Sequence, residues 1–403
     1  MTSEVQVAND PIWDAGAVVV DGLRAAGHQA WLVGGCVRDR LLARPLKDAD
    51  VATSAEPDEV ERLFPRTVAV GKAFGVIKVL LSQLPASSLQ PPVGAMALTV
   101  EVASLRADDR YVDGRRPVAV RRGSLQEDAE RRDLTINALY ADPDGSITDP
   151  VGGLPDLRAR ILRGIGDPAA RLAEDRLRVL RVLRFAAILG FAIEERTAAA
   201  IAGIAITGVA RERVLDELGK ACSSGAGGAF LRGCVGHGQL AAVAPCADPA
   251  RSAVLLDRLG PVDLDLALAA WLLPGGTDAA NAWMSMQPVP GSARRVVPWL
   301  IATAPRLGDL AVAERRRALR RPEGGACAAL AAAIDPAGAR DYARWAAQDS
   351  DPRPCPVSAA DLLAQGCPVG PDLGRRLRLI EDAWLSGAAV ERTDLLALAR
   401  DLA

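Results

Sequence analysis

At 403 residues the chain is longer than one hydrophobic core usually organises, so two or three domains are expected. Half of the residues are hydrophobic and only 4% are aromatic, which excludes wholesale disorder and leaves the cores to Ala, Leu and Val, a bias towards helix. The net charge of −2 gives no bulk signal for a nucleic-acid partner, so any such signal must lie in how the charges are distributed.

In chain order, the first third reads as mixed α/β. Ala30–Gly35 (AWLVGG) is a short apolar strand ending in two glycines, and Val37–Leu42 begins a helix. Ala49–Ser54 is a second strand, and Val76–Leu81 and Leu98–Leu105 are two more. The Pro- and Ser-rich stretch Ser82–Ala97 between them reads as an exposed connection, and Arg106–Pro117 (RADDRYVDGRRP) as a mobile loop. Asp133–Tyr140 starts as a short helix, Ile147–Pro150 is a brief strand and Val151–Gly153 a turn. From Pro155 the pattern turns helical. Arg171–Leu189 is the clearest amphipathic segment, with Leu172, Leu177, Leu180, Leu183 and Phe185 at helical spacing. Arg211–Cys222 is another helix, Ser223–Gly228 a Gly-rich break, and 229–403 a series of Ala/Leu-rich helices separated by Pro and Gly. The fold class is therefore α+β, a mixed sheet with helices followed by an all-α remainder.

Several site classes are excluded. The richest apolar stretch, Val254–Leu273, is interrupted by Asp257, Arg258, Asp263 and Asp265, so no membrane span is expected. The opening MTSEVQVANDP lacks the features of a signal peptide, and a cytoplasmic location follows. The seven cysteines are widely spaced without a C-x-x-C pair, which suits buried hydrophobes or free thiols better than zinc or disulfides. The only histidines are His28 and His237, too few for a His-rich metal centre or an HD-type phosphohydrolase domain. Only four of the 48 basic residues are lysine. Eight arginines face three acids between Arg158 and Arg184, a local excess of +5. Arginine suits bidentate contacts to phosphate and base edges.

Three constellations can carry chemistry. The first is Gly34-Gly35-Cys36-Val37-Arg38-Asp39 followed by Lys47-Asp48-Ala49-Asp50. Two glycines where a strand meets a helix expose backbone N–H groups as a phosphate cradle, to which Arg38 adds charge. Asp48 and Asp50 share one strand face and suit divalent cations that grip a triphosphate, and Glu101 on another strand is a candidate third carboxylate. Taken singly, D-x-D is also a common exposed strand edge and Gly-Gly a common turn. The second is Glu127–Leu139, EDAERRDLTINAL. It reads either as a solvated charged helix end capped by Asp133 or Thr135, or as Arg131 and Arg132 on a nucleotide with Asn137 nearby as a hydrogen bonder. The third is EDRLRVLRVLR, Glu174–Arg184. On a helix Asp175 and Arg178 are i, i+3 neighbours, as are Arg178 with Arg181 and Arg181 with Arg184. The run reads as an ion pair with a solvated arginine ridge, or as a reader of bases. A carboxylate only accepts and a guanidinium only donates, so together they match cytosine (N4–H beside N3) and adenine (N6–H beside N1) and mismatch uracil and guanine. Each buried mismatch costs roughly 1–3 kcal/mol, enough to discriminate.

In this order, the segments LVGGCVRDRLL, KDADVATSA, EVASLR, YVDGRRP, EDAERRDLTINALYADPDG, DPVGGLPDLRARILRGIGDP and EDRLRVLRVLRFAAILGF resemble the class II tRNA nucleotidyltransferase and bacterial poly(A) polymerase family over residues 30–220. A weaker likeness, GCPVGPDLGRRLRLIEDAW, looks like the tail-region helix of some CCA-adding enzymes. The resemblance implies a nucleotidyltransferase head (14–154), a helical neck carrying a base-recognition helix (155–222), and a helical body and tail that bind tRNA (223–403). It implies Asp48 and Asp50 as metal-binding catalytic carboxylates, and Gly35 and Arg38, with Gly34 beside them, at the triphosphate. It further implies Arg132, Arg181 and Arg184 at the nucleotide (where the second constellation's own reading adds Asn137), Asp175 and Arg178 as the base-reading pair, and Arg106–Pro117 as the loop used in passing from C to A addition. Arg176 stands where the family usually has Pro, which alters the start of that helix. The implied reaction is template-independent addition of C and A from CTP and ATP to the tRNA 3′ end, by phosphoryl transfer with two Mg2+ ions. Poly(A) polymerase and partial CC- or A-adding enzymes are the rivals within the family. The neutral-to-acidic end ERTDLLALARDLA favours tRNA over polyadenylation. A non-catalytic RNA-binding protein is disfavoured by Asp48 and Asp50, and a mononucleotide-binding metabolic enzyme by the arginine-rich helix.

Overall fold

The computed structural model describes residues 10–71, 75–81, 98–108, 120–349 and 353–401. Two compact units emerge, Met1–Ala210 with His237–Ala242, and Arg211–Gly236 with Val243–Ala403.

The first unit opens with α1 (Pro11–Ala25), whose N-terminus is capped by the Asp10 carboxylate accepting from the N–H groups of Ile12 and Trp13. Then follow β1 (Ala30–Val33), α2 (Gly35–Leu41), β2 (Ala49–Thr53), α3 (Pro57–Leu63), β3 (Thr67–Gly71), β4 (Val76–Leu81) and β5 (Leu98–Ser104). Next come β6 (Arg106–Asp108), β7 (Val120–Arg122), α4 (Leu125–Glu130), a 3-10 turn over Thr135–Asn137, β8 (Tyr140–Ala141) and β9 (Ile147–Thr148). A seven-stranded sheet runs β3-β4-β5-β2-β1-β8-β9, with β2 and β5 parallel and the other neighbours antiparallel. The mixed sheet with helices is the expected head architecture; α1, α3 and β3 were not anticipated.

Strand alternation sorts the side chains into two faces. Leu32 and Ala49 lie against α1, where a methyl added to Gly16 would meet them both. Val33 and Ala52 point the other way, into a cluster with Leu105, Ala129, Ala138, Tyr140 and Ile165. Asp50 has the parity of Ala52, so it faces that second side. Arg106–Asp108, expected as the start of a loop, is instead strand β6, paired antiparallel with β7. The rest of that expected loop, and Ser82–Ala97, fall outside the described residues.

Beyond β9 the unit becomes mainly helical: α5 (Gly153–Ala159), α6 (Pro168–Glu174), α7 (Leu177–Leu189) and α8 (Glu195–Gly203). The two-residue strands β10 (Ile161–Leu162) and β11 (Ala192–Ile193) pair in parallel and tie the ends of this segment together. The amphipathic stretch expected as one helix over Arg171–Leu189 is thus two. The chain leaves helical geometry at Asp175 (φ −138°, ψ 100°), and the Asp175 carboxylate caps α7 by accepting from the Leu177 N–H at 3.1 Å. The apolar periodicity crosses the break because Leu172 and Leu177 are both buried.

The second unit is helical throughout its described residues. It includes α9 (Arg211–Ser223) and α10 (Gly227–Gly236), so Gly227 and Gly228, expected in a break, begin a helix. The glycines serve close packing. A Cβ on Gly228 would lie 2.1 Å from Asp257 Oδ1 and 2.5 Å from the Ala253 carbonyl, so the helix Pro249–Leu259 could not approach if a side chain were present. Further along, the arginine-rich helix Val312–Leu319 is an internal hub. Arg315 stacks on Trp345, and Arg316 and Arg317 pair with Asp349 and Glu381. The final helices close over a separate core of Val357, Leu362, Ile380, Leu395 and Ala399.

Candidate active site

The site lies on the sheet face opposite α1, where β1 ends. Gly34 has φ +77° and ψ −125°, a conformation open to glycine and strained for any L side chain. Its N–H donates to the Leu139 carbonyl at 3.1 Å, tying the strand end to the segment after α4. A Cβ there would lie 3.3 Å from Arg132 Nη1, 3.7 Å from the Asn137 carbonyl and 3.8 Å from Asp50 Oδ2. Gly34, Arg132, Asn137 and Asp50, drawn from separate parts of the sequence, therefore meet at one point. Gly35 starts α2, whose first turn contains no acid to compete for an anion.

Asp48 is exposed just before β2 and Asp50 is half-buried within it. Glu101 sits beside Asp50 in register on β5, and its carboxylate is held by Lys78 of β4 at 2.8 Å. Burial, then the neighbouring Asp48 and Glu101 charges, push the Asp50 carboxyl up to about 7, against the pull of Arg132 and Lys78. Among the described residues no three His, Cys, Asp or Glu side chains are grouped closely enough to hold a metal ion by themselves. The donor chemistry nonetheless fits a divalent cation. Asp48 and Asp50 are hard oxygen donors whose mutual repulsion a cation relieves, while Glu101 already carries a lysine counter-charge. Cys36 lies behind this pair with its thiol directed at the Val33 carbonyl, 3.3 Å away. Burial and the Asp50 charge push that thiol up to about 12, so it is an inert packing group.

The Glu127–Leu139 segment is an interior network, which removes the reading of a solvated helix end. Asp128, 1% exposed, accepts from Arg131 (Nε 2.9 Å, Nη2 2.5 Å), Arg132 (Nε 3.2 Å, Nη2 3.0 Å) and the Tyr140 hydroxyl (2.6 Å). Burial alone would raise the Asp128 carboxyl, but the two arginines and the tyrosine hold it below the usual carboxylate range. Thr135 donates to buried Asp156 at 2.7 Å. From Arg38 a chain of bonds crosses the site: Arg38 Nη1 donates to Asn137 Oδ1 (2.6 Å), Asn137 Nδ2 to Asp133 Oδ1 (3.0 Å), and Arg181 Nε to Asp133 Oδ2 (2.7 Å). Burial opposes ionisation of Asp133, but Arg181 and Asn137 outweigh it and depress its carboxyl strongly. Arg38 is also gripped by Asp39 through Nε and Nη2, both at 2.9 Å.

On the helical side Arg178, Arg181 and Arg184 all project from α7, and Arg178 and Arg184 are buried. The ridge is therefore not solvated. Arg178 pairs with Glu174 at 2.8 Å and donates to the carbonyls of Arg171 and Arg131, which fixes its guanidinium against the Arg131–Arg132 segment. Asp175 is the cap between α6 and α7 and lies outside both helices, so its relation to Arg178 is that of a cap to the first turn: the Arg178 N–H donates to the Asp175 carbonyl at 2.8 Å. Arg176, in the position noted as a departure, reaches away to the Thr207 carbonyl at 2.9 Å. Asp128, Tyr140 and Glu174, which orient the arginines, were not singled out from the sequence, and Asp133 was expected only as a helix cap. The signal available was the number of acids threaded among those arginines.

Residues 30–163 match the Poly A polymerase head domain family. The CCA-adding enzyme of Anoxybacillus flavithermus is 43% identical over 205 residues, 50% of this chain and 48% of that protein. The one from Bacillus subtilis is 46% identical over 178 residues, 44% and 41% of the two chains. The matched stretch thus spans about half the length of these curated relatives or less. Among solved structures, the Bacillus stearothermophilus CCA-adding enzyme in complex with CTP superposes with a TM-score of 0.77 at 25% identity, covering 97% of this chain and 98% of that one. The Thermotoga maritima CCA-adding enzyme complexed with tRNA shares the fold, with a TM-score of 0.67 at 16% identity over 98% and 97% of the two chains. The head sequence and a fold shared along nearly the whole length agree: residues 30–163 match the poly A polymerase head domain family, and the chain is similar to CCA-adding enzymes in sequence over about half of its length and in fold over nearly all of it.

Proposed function

We propose that the protein adds C and A from CTP and ATP to the 3′ end of tRNA without a nucleic-acid template. The observation that carries this reading is the meeting of Asp50 and Arg132 at Gly34, joined through Arg38, Asn137 and Asp133 to the arginines of α7. A carboxylate pair, a glycine that brings bare backbone against an arginine, and cationic side chains leading to a carboxylate and a guanidinium are the parts that nucleotide addition needs. The relatives named as CCA-adding enzymes, and the solved structures with CTP and with tRNA, support it.

Asp48 and Asp50 would hold the magnesium, two ions in this reading, with Glu101 as a supporting carboxylate. Bound there, magnesium supplies charge neutralisation at the triphosphate and acidifies the RNA 3′-hydroxyl. The protein does the positioning. Gly34 and Gly35 present backbone to the phosphates, and Arg38 and Arg132 bind them. Asn137 keeps Arg38 in place, and Arg181 and Arg184 extend the same cationic wall. Asp175, pinned by its capping bond, and Arg178, pinned by Glu174, present one acceptor and one donor to the base edge. In the domain scheme that goes with this reading, residues 14–154 form the catalytic head, 155–222 the neck and 223–403 the tRNA-binding body and tail. No helix among the described residues is long and apolar enough to cross a membrane.

The test is incubation of the purified protein with tRNA lacking CCA, tRNA ending in CC, and oligo(A), supplying each NTP singly and in mixture with magnesium. Addition of C to the first and A to the second is expected. Long A tracts on oligo(A) from ATP alone would instead establish a poly(A) polymerase, and A addition restricted to tRNA ending in CC a partial enzyme.

A further inference from the structure

Tyr140 lies on β8 in register with Val33, the residue before Gly34, and its ring is fully buried in the cluster with Val33, Ala52 and Leu105. A phenol buried among apolar groups needs a partner for its hydroxyl. Here the hydroxyl donates to Asp128 Oδ2 at 2.6 Å, and the guanidinium carbon of Arg132 lies over the ring, 5.4 Å from its centroid. Burial, opposed by the Arg132 charge, keeps the phenol ionisation well above its ordinary range, so the hydroxyl remains a donor at any working pH.

The Asp128 carboxylate serves two arginines unequally. Oδ1 holds Arg131 at 2.9 and 2.5 Å, whereas Oδ2 holds Arg132 at 3.2 and 3.0 Å. The tighter pair draws the carboxylate towards Arg131. The phenol, bonded to Oδ2, resists that pull and keeps Oδ2 facing Arg132. Arg132 is thereby gripped along the edge formed by Nε and Nη2. Its third nitrogen, Nη1, is turned to the other side, 3.4 Å from the Asn137 carbonyl and 3.3 Å from the point where a Cβ on Gly34 would stand. A guanidinium is planar and rigid, so fixing one edge also fixes where the opposite nitrogen points. In the proposed reaction that point is the glycine presenting its backbone to the phosphates.

We propose that Tyr140 is a positioning residue for the incoming nucleotide, acting through Asp128 to aim Arg132 at the triphosphate beside Gly34. This rests on the nucleotide-adding function proposed above. The phenol itself takes no part in proton or phosphoryl transfer. Its loss loosens a contact that Arg132 makes alike in the ground state and the transition state, so KM rises at unchanged kcat.

Tyr140→Phe removes the hydroxyl and keeps the ring, so the apolar cluster stays filled and the bond to Asp128 is isolated. The test measures kcat and KM for CTP on tRNA lacking CCA, and for ATP on tRNA ending in CC, in Tyr140→Phe, Arg132→Lys and the double variant, together with thermal midpoints. Tyr140→Phe is expected to raise both KM values about fivefold with kcat within about twofold of wild type. Lysine has a single nitrogen and cannot be gripped by Asp128 on one edge while presenting another, so Arg132→Lys removes the part that Tyr140 aims. In that background Tyr140→Phe should change KM by less than about twofold. Equilibrium CTP binding in magnesium gives the same comparison where turnover is too slow to measure, the dissociation constant shifting as KM does. A Tyr140→Phe protein with a lowered midpoint and wild-type KM values would show a tyrosine that serves stability alone and overturn the assignment. So would a KM effect undiminished in the Arg132→Lys background, or a fall in kcat at constant KM. A wild-type protein inert towards both tRNAs would overturn the proposed activity itself, a result distinct from an active wild type that is indifferent to the hydroxyl.

Discussion

Asp128→Asn is the perturbation whose size the structure sets most closely. The carboxylate is 1% exposed and takes five hydrogen bonds, from two guanidiniums and a phenol. Asparagine keeps the shape but removes the charge and turns one acceptor into a donor facing those donors. Removing one member of a buried ion pair typically costs about 3–5 kcal/mol. The Arg131 and Arg132 side chains retain 18% and 19% exposure, so water reaches part of each cation and the lower end, about 3 kcal/mol, is expected. In a unit of about 200 residues this lowers the thermal midpoint by roughly 6–12 °C. Urea and thermal unfolding followed at Trp13 and Trp31, the tryptophans of that unit, reads it directly. The sign with pH follows from the depressed carboxyl. The stabilisation is present above the ordinary carboxylate pKa and is lost as pH falls through the depressed folded value, so wild type and variant converge in strong acid. A variant midpoint within about 1 °C of wild type at pH 7, or a difference that persists undiminished to pH 2, would refute the reasoning.

Gly34→Ala should destabilise by about 1–3 kcal/mol from backbone strain and, by displacing Arg132, cut nucleotide addition more than tenfold; a variant with wild-type stability and activity would show that the position tolerates a side chain. The Asp50 carboxyl is raised to about 7, so the folded state holds its proton more tightly than the unfolded chain does. Without divalent cation, the contribution of Asp50 to stability is present below about pH 4 and is lost as pH rises to about 7, and Asp50→Asn should be the more stable protein at pH 8 by roughly 2–4 kcal/mol. Chemical denaturation in chelator at pH 4 and pH 8 checks this, and equal stabilities at pH 8 would exclude it. Asp175→Asn keeps an acceptor for the α7 cap and offers the base a donor, so UTP incorporation relative to CTP should rise about tenfold or more. Single-nucleotide extension assays read that ratio, and an unchanged ratio would remove Asp175 from base reading.

The strand ending in Gly34-Gly35 and the edge bearing Asp48 and Asp50 were legible because glycine conformation and side-chain alternation are local properties. The placement of Glu101 was only half legible. Its strand was readable, but its pairing with Lys78 depends on cross-strand register, which no local pattern encodes. The continuous helix expected over Arg171–Leu189 failed for the opposite reason. Apolar periodicity records which side is buried and is blind to a single extended residue whose carboxylate caps the next helix. Gly227 and Gly228 misled in the same way, since a glycine needed for helix contact and one that breaks a helix look alike in sequence. The acids Asp128 and Asp133 looked like surface charge because a run of alternating acids and arginines usually is solvated. Here Tyr140, just beyond the run, and Arg181, far along the chain, make it an interior network.

The central claim is tested most directly by sequencing the 3′ ends of tRNA lacking CCA after incubation with all four NTPs and magnesium, using wild type and Asp50→Asn side by side. Wild type is expected to append C, C and A and then stop, and the variant to append nothing above background. An A tract, indiscriminate U or G, or extension by Asp50→Asn at the wild-type rate would contradict it.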